Sequence, residues 1–135
     1  MIRYIRNYPL SLLVLAAVVY LSFFRPPSTD LDRIQGLDKV VHVVMYLGVS
    51  GMLWLEFWRT HRHRPAPLWH AVVGACVLPI AFSGAIELMQ AYLTVHRSGD
   101  WLDFAANAVG VVLASAAGYL VLRRYPGFGG RIPSP

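Results

Sequence analysis

The sequence predicts an all-α membrane protein: four transmembrane helices in a compact bundle, with both termini cytoplasmic. Three observations carry this reading. Of 135 residues, 56% are hydrophobic and 14% charged, with a mean hydropathy of +0.49, which is more apolar surface than a soluble core of this size can bury. The apolar residues are gathered into four long stretches, at about 9–24, 40–58, 68–95 and 102–122. Strand-like alternation is absent, which argues against a transmembrane β-barrel.

A bilayer core of about 30 Å takes about 20 helical residues. The second and fourth stretches fit that length and the third exceeds it. The first is short, and spans only if Tyr8 and Arg25 lie at the two interfaces. Although Arg3 and Arg6 precede it as in a signal peptide, no pair of small residues ends it, so it reads as an uncleaved helix. Pro79, midway along the third stretch, removes a backbone donor and predicts a kink. Residues 1–125 thus form one four-helix membrane domain, and the Pro- and Gly-rich residues 126–135 a flexible tail. Cys76, the only cysteine, excludes an intramolecular disulfide and reads as a packed thiol.

The loops set the orientation. Arg3, Arg6, Arg59, Arg62, Arg64, Arg123, Arg124 and Arg131 fall on one side; Arg25, Arg33, Lys39 and Arg97 fall on the other, among five aspartates. The positive-inside rule places the first group, and both termini, in the cytoplasm of a bacterial inner membrane. Because the basic residues are split among segments bordering helices, the net charge of +5 is a topology signal and no nucleic-acid partner is expected. Trp54, Trp58, Trp69 and Trp101 are expected at the interfaces. His61 and His63 read as part of a solvated basic loop, and Glu56 as structural, reaching the inner interface or pairing with Arg59.

Against this apolar background, Glu87, Gln90, Arg97, Asp100, Asp103 and Asn107 fall within one short stretch. Ionisable groups are costly in lipid and mark working sites. Asp38 and His42 are four apart, Glu87 and Gln90 three, Asp103 and Asn107 four, so each pair shares a helix face. Ser83 lies a turn deeper than Glu87. With the predicted topology the three faces lie at one depth and converge on an outward-facing polar cavity. The residue types point to acid–base work by His42 and Glu87 with Asp103 beside them. Lys39 or Arg97 would hold an anionic head group, and Asp38, Gln90 and Asn107 would complete the binding surface. Asp100 reads as the N-cap of the fourth helix. No cofactor is expected; a divalent metal held by His42, Glu87 and Asp103 is the alternative the ligand types allow. Below Asn107, Gly110, Ala114 and Gly118 form a small-residue stripe suited to close helix packing or to a homo-oligomer.

Asp38-Lys39-x-x-His42, Glu87-x-x-Gln90, Arg97 and Asp103-x-x-x-Asn107-x-x-Gly110, in this order across about two-thirds of the chain, together resemble the VanZ-like family. Ala114 stands where that pattern leads one to expect a second glycine. The resemblance implies an integral membrane protein of the group named for a teicoplanin-resistance protein. The expected function is therefore binding, and modification where chemistry follows, of a membrane lipid or lipid-linked envelope precursor at the outer face. The competing readings are a non-catalytic packing or partner-binding module and a small proton-coupled carrier.

Overall fold

The computed structural model describes residues 6–24, 36–93, 100–125 and 128, and the described elements are helices. Helix α1 spans Pro9–Phe23 and α2 Leu37–His61. Helix α3 runs from Leu68–Val72 through a π-helical turn, Val73–Val77, to Leu78–Leu93. Helix α4 spans Trp101–Leu122. Three of these, α2, α3 and α4, are long and apolar enough to cross a membrane, and α1 is a shorter apolar helix packed against them. With 15 residues, α1 is about 22 Å long. Large apolar side chains such as Leu13, Val44, Leu88 and Leu113 are exposed around the outside, as expected where lipid and not water is the solvent.

Helix α2 extends three residues beyond its apolar run at each end. The early start reflects Lys39, whose ammonium meets Asp103 on the neighbouring helix and Asp100 at its N-cap, and Asp38, which pairs within α2 with Lys39 and His42. At the far end Arg59 and His61 occupy the last turn, where cations complement the helix dipole, and His61 Nδ1 donates back to the Phe57 carbonyl at 3.0 Å.

The closest helix contact is between α2 and α4, which lie side by side with their N-termini at the same end. Gly110 makes it possible. A Cβ there would stand 2.2 Å from the Val43 carbonyl oxygen and 2.9 Å from the Leu47 nitrogen, so the two backbones touch, as small residues allow in membrane helices. Two turns further on, Gly118 faces the ring of Trp54. The small-residue stripe is thus used within the chain. Trp54 corrects its expected interfacial position: it is buried, with Nε1 donating to Ser115 Oγ at 3.2 Å.

Pro79 has no N–H to give the Ala75 carbonyl four residues back. Ser50 Oγ donates to that oxygen at 2.6 Å and Ser115 Oγ at 3.3 Å, so α2 and α4 supply what the proline removes. The widened π turn lies at this position, with the Leu78 N–H bonded to Val73 O. Irregular backbone at membrane depth is tolerated because protein covers it.

Glu56 is fully buried and caps α1. Its Oε1 accepts from the Leu10 N–H at 2.9 Å, and its Oε2 accepts from the Ser11 N–H at 3.0 Å and the Ser11 hydroxyl at 2.5 Å. The structural role expected of Glu56 is found, but its partners are the orphan donors of a helix N-terminus and neither Arg59 nor the interface.

Tyr8, Phe57, Trp58, Leu68, Leu122 and Phe128 pack in one cluster, so both ends of the described chain and the 62–67 turn share one end of the bundle. Arg59, Arg62, Arg64, Arg123 and Arg124 are exposed at this end. Phe128, the one described residue of the expected tail, is buried against Phe57.

Candidate functional site

The opposite end carries the acids. Helix α2 enters through Gly36, whose φ of 86° lies in the left-handed region that favours glycine. Helix α4 enters through Asp100, which has extended backbone and accepts the Leu102 N–H at 2.8 Å, the N-cap role its position predicts. Two helix N-termini therefore lie together, and acids in the first turn of each, Asp38 and Asp103, are favoured by the dipoles.

Lys39 joins them. Its Nζ donates to Asp100 Oδ2 at 2.8 Å and Asp38 Oδ2 at 3.2 Å, and contacts Asp103 Oδ1. The Lys39 ammonium, with the Leu102 N–H behind it, holds the Asp100 carboxyl below the usual carboxylate range.

Deeper in the bundle a second chain of bonds runs from α2 through α4 to α3. Asn107 donates through Nδ2 to Ser83 Oγ at 2.8 Å, and its Oδ1 lies 3.0 Å from His42 Nδ1. An amide oxygen can only accept, so Nδ1 carries the proton and Nε2 is the nitrogen left for exchange. Nε2 faces Asp103 Oδ2 at 3.5 Å and Asp38 Oδ1 at 3.7 Å. Glu87 enters from α3, its Oε2 accepting the Asp100 N–H at 3.0 Å. Asp38 and Asp100 form the open side, with side chains 62% and 42% exposed; Glu87 and Asn107 form the buried side.

Asp38, Lys39, His42, Glu87, Asp103 and Asn107 are thus brought into one bonded cluster, with Asp100. Gln90 on the same helix as Glu87 donates through Nε2 to the Ser22 carbonyl at 2.7 Å, tying α3 to the end of α1. Arg97 lies outside the described residues. Among the described residues, the donors that converge closely enough for a cation are Asp38, His42 and Asp103, whose ligand atoms lie within 4.8 Å of one another. Glu87, grouped with His42 and Asp103 from sequence, accepts the Asp100 N–H through one of its two oxygens. The Lys39 ammonium already lies against Asp38 and Asp103 and supplies a counter-charge there.

Tyr46 adjoins the cluster although its residue type alone does not mark it. One turn below His42 on the same face, it is buried, and its hydroxyl reaches Ser83 without a well-formed hydrogen bond. The signal that could have found it is its spacing, since Asp38, His42 and Tyr46 recur every four residues.

A helical bundle with three helices long and apolar enough to cross a membrane, and an acidic polar cluster where two of them begin side by side, defines a small polytopic membrane protein. The chain belongs to the VanZ/LLP1 family, whose model matches residues 3–123. No curated protein and no solved structure matches the chain significantly.

Proposed function

We propose that this protein binds a lipid-linked cell-envelope molecule at the acidic end of the bundle, on the extracytoplasmic side of the bacterial inner membrane, and exchanges protons with it. The observation that supports this is the setting of His42. Asn107, itself held by Ser83, holds one ring nitrogen, and the other is directed at Asp103 and Asp38 on the open side of the cluster. His42 is the proton-exchanging group, Glu87 the buried acid behind it, and Asp103 the carboxylate that orients the ring. Because three carboxylates surround Lys39, the cluster itself suits hydroxyl or amine groups of a head group, and the anion-holding role passes to Arg97.

Occupation of an envelope precursor would lower glycopeptide access to the cell surface, as in the teicoplanin-resistance proteins the family is named for. Cells producing the wild-type chain should capture less labelled teicoplanin than cells lacking it, and His42→Asn or Glu87→Gln at equal membrane abundance should restore capture. If both variants act as wild type, the reading is wrong.

The reading as a packing module has one observation in its favour: Asn107–Ser83, Glu87–Asp100 and Gln90–Ser22 each tie two elements together. It predicts that the same substitutions change thermal stability alone. A carrier has less support, since Glu56, the acid of the basic half, is taken up by the start of α1.

A further inference from the structure

A groove of about 460 Å³ lies between α2 and α4, running from Leu47 toward the basic end of the bundle, and shares no lining residue with the acidic cluster. Along α2 it runs from Leu47 to Trp58, about 16 Å at 1.5 Å per residue. Small residues, Gly51, Ala114 and Gly118, make its hollow, and its walls are apolar. It ends at Trp58 and Tyr125, whose rings lie 5.9 Å apart, an aromatic pair of the kind that sits at head-group level. Above Trp58 is the guanidinium of Arg62, 6.0 Å from the ring, and Arg123 and Arg124 follow α4 at the same end, all three exposed.

We propose that this groove is a binding site for an anionic phospholipid of the leaflet at the basic end, with one acyl chain along Gly51 and Gly118 and the phosphate among Arg62, Arg123 and Arg124. The hollow is chain-shaped and apolar, and its mouth is cationic, which is how basic pockets at the ends of membrane helices take acidic head groups. Charge also decides against a second copy of this chain. Copies in one membrane are parallel, so a neighbour in the groove would bring its own arginines against Arg62, Arg123 and Arg124, whereas an anionic lipid neutralises them. This site does not depend on the function proposed for the acidic end.

The test is lipid retention by the full chain, read by native mass spectrometry after release from nanodiscs of phosphatidylcholine and phosphatidylglycerol in equal amounts. The wild type should retain phosphatidylglycerol over phosphatidylcholine by about tenfold, given that each arginine near the head groups contributes. Gly51→Leu has open space for its side chain and fills the groove, so it should lower retention of both lipids. Arg62→Gln, Arg123→Gln and Arg124→Gln together should abolish the preference and leave phosphatidylcholine retention intact. Equal retention of the two lipids by the wild type, or unchanged retention in Gly51→Leu, overturns the proposal. So does a wild-type dimer that Gly51→Leu converts to a monomer, which would identify a self-association face.

Discussion

The Oδ1 of Asn107 lies 3.0 Å from Nδ1 of His42, and that contact fixes which nitrogen of the histidine faces the Asp103 and Asp38 carboxylates. Asn107 is buried, with its amide nitrogen bonded to Ser83, so its orientation is set from the other side. Asn107→Ala leaves His42 Nδ1 and Ser83 without this partner, and a buried unsatisfied group costs about 1–3 kcal/mol. The variant should unfold at a lower temperature in detergent, and Asn107→Asp should recover more of the loss than Asn107→Leu.

Tyr46→Phe should behave in the opposite way. Its hydroxyl makes no well-formed bond among the described residues, and removing an unsatisfied buried group is close to neutral or stabilising. Thermal unfolding should move by less than about 0.5 kcal/mol equivalent. A large loss of stability would show that the hydroxyl has a partner within the fold.

The α2–α4 contact positions the whole cluster, because Gly110 is three residues from Asn107 and Val43 is next to His42. A single added methyl at Gly110 meets backbone that cannot rotate away. Gly110→Ala should therefore cost about 1–3 kcal/mol by overpacking. It should also increase hydrogen exchange at Asp103 and Asn107. Gly51→Ala, where a Cβ meets nothing within 4 Å, is the control that should leave both unchanged.

Much of this was legible in the sequence, and the limit has a physical form. Helical spacing fixes which residues share a face, so Asp38 with His42 and Asp103 with Asn107 could be read directly. Spacing does not say which neighbouring helix a face meets. Gln90 shares a helix with Glu87, yet it meets α1, and Glu56 meets the start of α1 and not Arg59. The helix ends differ for a related reason. Hydropathy stops at Val40, whereas Leu37–Lys39 are helical because Lys39 finds the carboxylates of Asp103 on α4 and of Asp100 at its N-cap. Residue type alone puts Trp54 at an interface, but the approach of Gly118 to its ring shows it to be buried in the bundle.

The Lys39–Asp100 pair predicts a pH dependence. Lys39 lowers the folded-state pKa of Asp100, so the stability it contributes is present above the unfolded value of about 3.9 and is lost as pH falls through the lower folded value. Between pH 5 and 8 this pair should add no slope to stability. Carbon-detected NMR of the Asp100 carboxyl should give a midpoint below about 3.9, and Lys39→Met should move it upward.

Glu56→Gln keeps the shape but gives up the charge and one acceptor at the start of α1. Charge-assisted hydrogen bonds contribute about 1.5–3 kcal/mol each, so the loss should be at least about 1.5 kcal/mol. Hydrogen exchange at Leu10 and Ser11 should rise while exchange in α4 stays as in the wild type.

Binding at the acidic end is tested most directly with a polyprenyl-phosphate-linked sugar titrated against the protein in nanodiscs, comparing the wild type with His42→Asn. Measurable wild-type affinity is expected, weakened at least about tenfold in the variant, or 1.4 kcal/mol, with the unfolding temperature unchanged. Equal binding by the two proteins, or no binding by the folded wild type, would contradict a head-group site built around His42.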